Sequence, residues 1–250
     1  PKRSSTPACA NSANAGADAG TQRRTMLAAM SDQQIIDVNG PDELRAILGE
    51  PMRRAVEKER TALHPLDRQW LAASPFCLVA TSAADGTCDV SPKGDPAGQL
   101  IHVVDDTTIA IAERPGNGRA DGYHNVLSNP HVGIISLIPG RNETLRINGR
   151  ARVVRDAPYF DQMIVRDHRP VVALHVEIEQ IFLHCAKSFM RSKLWDAESW
   201  NPDAVPPNAQ LVKETQVVAE TLEELSAYYG PTYVERLYRA VPVTDTPPRS

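Results

Sequence analysis

Two short stretches gather side chains able to hold an anion. The first, AERPGNGRADGYHNVLSNP, runs from Ala112 to Pro130 and sets Arg114, Asn117 and Arg119 among Gly116 and Gly118. A turn alone needs the glycines and the asparagine but not two guanidinium groups. A phosphate would use them all. Arginine forks match its oxygens, glycines let the backbone come close, and the N–H groups opening a following helix point the same way. Asp121 or Gly118 would cap that helix. The second stretch, SPKGDP from Ser91 to Pro96, offers a hydroxyl, a cation and a glycine at the end of a strand. Ser91 and Lys93 can hold a phosphate between them, and exposed backbone at Gly94 and Asp95 can meet a planar heterocycle. Alone, the first reads equally as a surface loop with solvated arginines, and the second reads first as a proline-flanked turn with a solvated lysine. Two in one chain favour a ligand.

The apolar pattern indicates what positions these turns. FCLVATS, the turn signal Asp85-Gly86 and TCDVSP spell a hairpin. LIHVV and TIAIA around Asp105-Asp106-Thr107 spell a second. A helix is expected over Asp121–Leu127, then VGIISLI, apolar on both faces as a central strand would be. In TLRINGRARVV, Leu145, Ile147, Ala151 and Val153 share one face, and Thr144, Arg146, Asn148, Arg150 and Arg152 share the other. A short helix near Tyr159–Val165 precedes the last long strand, VVALHVEIEQIFLH. Six or seven antiparallel strands with few long helices predict a mainly β (α+β) barrel with helical additions at both ends. Upstream, helices are expected over Asp42–Leu48, Met52–Arg60 and Leu66–Ala73, punctuated by Pro51, Pro65 and Pro75. Downstream, a proline-rich linker leads to one helix from Ala209 to Tyr229. Its Leu211, Val218, Leu222, Leu225 and Tyr229 form a stripe, and Gly230-Pro231 ends it.

The expected organisation is a disordered leader over residues 1–30, a helical segment over 31–74, the barrel over 75–195, and a linker with C-terminal helices over 196–250. The leader lacks apolar periodicity, so it is expected to add nothing to the core; MSDQQ, from Met30, resembles a natural protein start. The chain of 250 residues is 42% hydrophobic with a formal net charge of −4, which argues against nucleic acid or an anionic membrane as partner. Its four cysteines form no CxxC pair, a poor framework for disulfides or zinc. No apolar run approaches the roughly 20 residues of a membrane span, and the MLAAM run is too short for a signal peptide. A cytoplasmic protein with no metal is expected.

The stretches ATSAADGTCDVSPKGDP, ERPGNGRADGYHNVLSNPHVGIISLIPG, ETLRINGRARV and HCAKSFMRSKLW, in this order, resemble the flavin mononucleotide (FMN)-binding split barrels related to pyridoxamine 5′-phosphate oxidase. They resemble most a bacterial subgroup with SPKGD and RPGN signatures. The likeness spans roughly Pro75 to Trp195. It implies a split barrel, an FMN cofactor and a homodimer with the flavin at the interface. It sets Ser91 and Lys93 on the first flavin-contacting strand, and Arg114, Asn117 and Arg119 in the phosphate turn. Thr144 stands where the oxidases keep a flavin-contacting glutamine. Lys193 and Trp195 follow the last strand, where the family closes over flavin or substrate. A flavin suits the residues: its phosphate rewards guanidinium forks, and a cation such as Arg146 near the reduced ring raises its potential.

The chain lacks the Arg-x-His motif with which the oxidases grip substrate phosphate; RSKLW stands in a comparable place. The implied activity is therefore an FMN-dependent oxidoreductase acting between a small-molecule donor and acceptor, not that particular reaction. No general acid or base is identifiable. Two alternatives stay open: a flavin-binding or stress-related protein without turnover, and a split barrel using deazaflavin or haem, for which His184 is the axial candidate by position. Otherwise His184, Cys185 and the remaining histidines read as structural.

Overall fold

In the computed structural model, which describes residues 35–238, two aspartates set two hairpins. Asp85 Oδ1 accepts the Thr87 N–H at 2.9 Å and the Thr87 hydroxyl at 2.7 Å. Gly86, at φ +91°, completes the turn between β1 (Phe76–Ser82) and β2 (Cys88–Gly94). Asp105 repeats the device on Thr107, between β3 (Ile101–Val103) and β4 (Thr108–Ala112). Such side-chain acceptors mimic a backbone turn and fix the strand exits.

Three more strands follow: β5 (His131–Leu137), β6 (Thr144–Val154) and β7 (Ala173–His184). All neighbours pair antiparallel in the order β2-β1-β5-β6-β7-β4-β3. This seven-stranded sheet with its helices is the antiparallel split barrel, mainly β, that the sequence predicts. Leu145, Ile147 and Ala151 of β6 enter the core beside Val79, Ile134 and Ile181. Arg150 and Arg152 point out, as the period of two requires. β5 departs from expectation. It is interior in the order, yet Ile135 on its outer face is 40% exposed, so only one face joins the core.

The chain divides after Met52 into two units. In the first, α1 (Pro41–Leu48) has every residue exposed, and Glu43 reaches back to accept the Asn39 N–H at 2.7 Å. In the second, α2 (Arg53–Val56) is shorter than the expected Met52–Arg60. The reason is that Arg60 exchanges backbone hydrogen bonds with Ile181 of β7 instead. Its guanidinium is bidentate on Asp67, which also caps α3 (Pro65–Ala73) by accepting the His64 N–H at 2.8 Å. The segment near Tyr159 is a single 3₁₀ turn, Phe160–Met163.

After α4 (Asp121–Ser128) and α5 (Lys187–Ser192), the expected C-terminal helix is two helices, α6 (Asn208–Thr215) and α7 (Leu222–Tyr228). Thr221 and Glu224 form a reciprocal capping box that starts α7 afresh. The break changes the stripe. Ala209, Val212 and Leu225 are buried together, while Leu211 and Leu222 face solvent. Among the described residues no helix is long and apolar enough to cross a membrane. The proposed leader, residues 1–30, lies outside the described residues.

The β6–β7 ladder shifts register at Asn148/Gly149. A Cβ on Gly149 would stand 2.1 Å from the Glu177 carbonyl oxygen, so only glycine fits that bulge. Gly149→Ala is expected to destabilise the fold by about 3 kcal/mol, whereas Gly116→Ala, whose nearest contact would be 3.8 Å away, is expected to be tolerated. Denaturant unfolding of the two variants checks this.

Candidate functional site

β2 and β4 share no backbone ladder, so side chains join them where the barrel closes. Lys93 of β2 forms an ion pair with Glu113, which follows β4. Next to it, Asp95 takes Arg114 Nε at 2.7 Å. Helix α4 (Asp121–Ser128) packs on β1, β2 and β6 beside the seam. Its Tyr123 donates its hydroxyl proton to Glu113 Oε2 at 2.6 Å, and Lys93 Nζ lies 5.0 Å from the centre of its ring. Burial first, then the Glu113 charge, push the Tyr123 phenol far above its ordinary range. The phenol keeps its proton and the Glu113 carboxylate keeps its donor.

The hairpin alternation turns Asp89, Ser91 and Lys93 towards this seam. They line a cavity of about 230 Å³ with Val79, Thr81, Asn117, Arg119 and the first turn of α4. Asn125 of α4 fixes the far wall by donating to Thr81 Oγ1 at 3.0 Å and Asp89 Oδ2 at 2.8 Å. Ala120, at φ 56°, turns the chain into α4. Among the described residues the N–H groups of Ala120, Asp121 and Gly122 meet no acceptor. Arg119 is 68% exposed and pairs with Asp121 at 2.6 Å, while Asn117 Oδ1 accepts the Arg119 N–H at 3.1 Å. Three unengaged helix N–H groups beside an exposed guanidinium fit a phosphate. The three carboxylates of the cavity are already engaged, Asp89 by Asn125, Glu113 by Lys93 and Tyr123, and Asp121 by Arg119.

The candidates read from the sequence divide into five groups. Ser91, Lys93, Asn117 and Arg119 come together in the cavity. Arg114 and Asp95 do not. The Arg114 guanidinium is taken up by Asp95, by the Met163 carbonyl at 2.9 Å and by the His168 carbonyl at 3.5 Å. The backbone expected to be open at Asp95 is closed, since its N–H donates to Pro75 O. Gly94 is exposed but lies on the outer side of β2. Thr144 and Arg146 lie on the outer wall of β6, with Thr144 buried and Arg146 over Phe182. Lys193 and Trp195 follow α5 (Lys187–Ser192). Trp195 donates to the Arg141 carbonyl at 2.7 Å and stacks on Phe189. The spacing of the motifs did not reveal Glu113 or Tyr123, which hold Lys93. Their contribution depends on α4 folding back over β2.

Fold and cavity together define a split barrel whose polar pocket lies at the seam, under the start of a helix. Residues 63–185 match the family model described as pyridoxamine 5′-phosphate oxidase. The barrel of this chain belongs to that family of FMN-binding split barrels. Among solved structures, the chain is similar to HupZ of Group A Streptococcus, at 19% identity over 48% of this chain and 93% of that one, with a TM-score of 0.40. It is similar to an FMN-binding protein from Syntrophomonas wolfei, at 14% identity over 48% and 89%, with a TM-score of 0.37. It is also similar to an F420 reductase, at 17% identity over 44% and 92%, with a TM-score of 0.34. No curated protein matches the chain.

The two arginines of the turn differ in a measurable way. Arg114 is 12% exposed against an Asp95 side chain that is 2% exposed, and removing one member of a buried pair costs about 3–5 kcal/mol. Arg114→Ala is expected to lower stability by that amount, while Arg119→Ala leaves the unfolding midpoint unchanged. Chemical denaturation of both variants measures the difference.

Proposed function

We propose that this protein is a cytoplasmic, FMN-binding homodimer that passes electrons between a small-molecule donor and acceptor. The observation that carries the reading is the convergence of Ser91, Lys93, Asn117, Arg119 and the start of α4 on one cavity. Arg119, Asn117 and the α4 N–H groups hold the phosphate. Arg119 contacts Asp121 through Nε alone, which leaves its terminal nitrogens for the phosphate while Asp121 stays paired. Lys93, held by Glu113 and Tyr123, sets its ammonium group on the cavity wall, where it favours negative charge gained there. Tyr123 holds its proton towards Glu113 throughout. Bound FMN supplies the redox chemistry, and the protein orients and tunes it.

A cavity of about 230 Å³ is smaller than the roughly 300–1,000 Å³ of sites that enclose a small molecule. A second surface must complete it. Members of this family commonly form dimers. The outer face of β2-β1-β5 carries two adjoining rows, Val90-Ala80-Gly133 and Pro92-Leu78-Ile135, in which Val90 is 62% exposed. That apolar patch suits a second copy of the chain. Light scattering is expected to give a dimer at micromolar concentration; a flavin-loaded monomer would sink this part of the reading.

The purified protein is expected to be yellow, with FMN as the released chromophore. Arg119→Ala is expected to weaken FMN binding tenfold to a hundredfold, the usual worth of a charge-assisted contact. Arg119→Lys recovers only part, because a point charge lacks the planar fork. Riboflavin, which has the ring without the phosphate, is expected to bind both proteins alike. Equal losses for the two ligands, or none for either, would refute the phosphate role.

A further inference from the structure

Lys58, Arg146 and His184 meet around one aromatic ring. Lys58 Nζ lies 4.6 Å from the centre of Phe182 and donates to the Leu183 carbonyl at 2.8 Å. Arg146 pairs opposite Phe182 across β6 and β7 and brings its guanidinium carbon 5.4 Å from the same ring. The His184 ring is 6.1 Å from it, centre to centre. Three separate parts of the chain supply these groups: the segment after α2, β6 and β7. The first is anchored two residues beyond Lys58, where Arg60 exchanges hydrogen bonds of 3.1 and 2.7 Å with Ile181.

The charge balance here differs from that of the seam. Lys93, Arg114, Arg60 and Arg119 each have a carboxylate. Lys58 and Arg146 meet none among the described residues. Arg146 reaches only Asn148 Oδ1, at 3.4 Å through Nε, which leaves its two terminal nitrogens for another acceptor. The charged groups facing His184 are these two cations, and burial first, then their charges, hold its imidazole below the ordinary range. The ring face attracts each cation and fixes its place, but it leaves their mutual repulsion uncompensated. An anion would relieve it.

We propose that Lys58, Arg146 and His184 form a binding site for a small organic anion bearing a phosphate or carboxylate. The Arg146 fork takes two of its oxygens, Lys58 adds a point charge, and His184 gains a proton as the anion arrives. The site is distinct from the seam cavity and does not depend on the flavin reading.

The test follows the His184 imidazole by NMR through a pH titration of the full chain. Inorganic phosphate, acetate and sodium chloride are compared at matched ionic strength. Chloride is essential because salt alone screens Lys58 and Arg146 and raises the His184 midpoint. Phosphate, alone or with acetate, is expected to raise that midpoint by about half a unit or more beyond chloride. Action by phosphate alone marks a phosphate site, and action by both marks a general anion site. The excess should vanish in Lys58→Gln and in Arg146→Gln, with the other histidine signals showing that each variant is folded. No excess over chloride, or an excess that survives in either variant, overturns the proposal. The readout is His184 alone, so the outcome is independent of which chromophore the protein carries.

Discussion

Closure across the seam between β2 and β4 is the constraint on which the rest of the site depends. No ladder joins these strands, so Lys93–Glu113 and Arg114–Asp95 do the work that backbone hydrogen bonds do elsewhere in the barrel. A buried ion pair holds only when further hydrogen bonds offset the desolvation of its charges. Both pairs meet that condition. Arg114 also reaches the Met163 and His168 carbonyls, and Glu113 also receives the Tyr123 hydroxyl. The same contacts set the width of the cavity and the height of α4 above it.

The two arginines of the turn divide the labour. Arg114 is used up by the fold, since Asp95 and two carbonyls account for its fork, so it closes the barrel. Arg119, five residues on, is exposed and paired with an exposed Asp121, and it remains available to a ligand. One short stretch therefore carries a structural guanidinium and a solvent-facing one at the mouth of the same helix.

The fold was legible where local chemistry decides it. Period-two alternation located the long strands, and Asp85 and Asp105 marked both hairpins because an aspartate acceptor two residues before a threonine acts within its own turn. Features set by distant partners were not legible. Arg114 reads as a phosphate ligand until the Met163 and His168 carbonyls, some fifty residues later, are seen to accept hydrogen bonds from it. The helix expected through Arg60 stops early because β7 competes for that backbone. The single C-terminal helix fails because the Thr221–Glu224 cap outweighs a plausible apolar stripe. His184 has no partner at any regular spacing. Lys58 and Arg146 reach it only after three separate parts of the chain assemble.

The Arg60–Ile181 bridge has a consequence for how such a barrel diversifies. The family match begins at residue 63, so Lys58 and its anchor lie on an attached strip of chain, ahead of the shared framework. The strip is held by the Arg60–Ile181 bridge, the Arg60–Asp67 ion pair and the Lys58 bond to Leu183, none of which is part of the β6–β7 ladder, so a change in the strip need not alter that register. At the proposed anion site, selectivity can then drift through that strip, while the seam that holds the framework together stays under its own separate constraint.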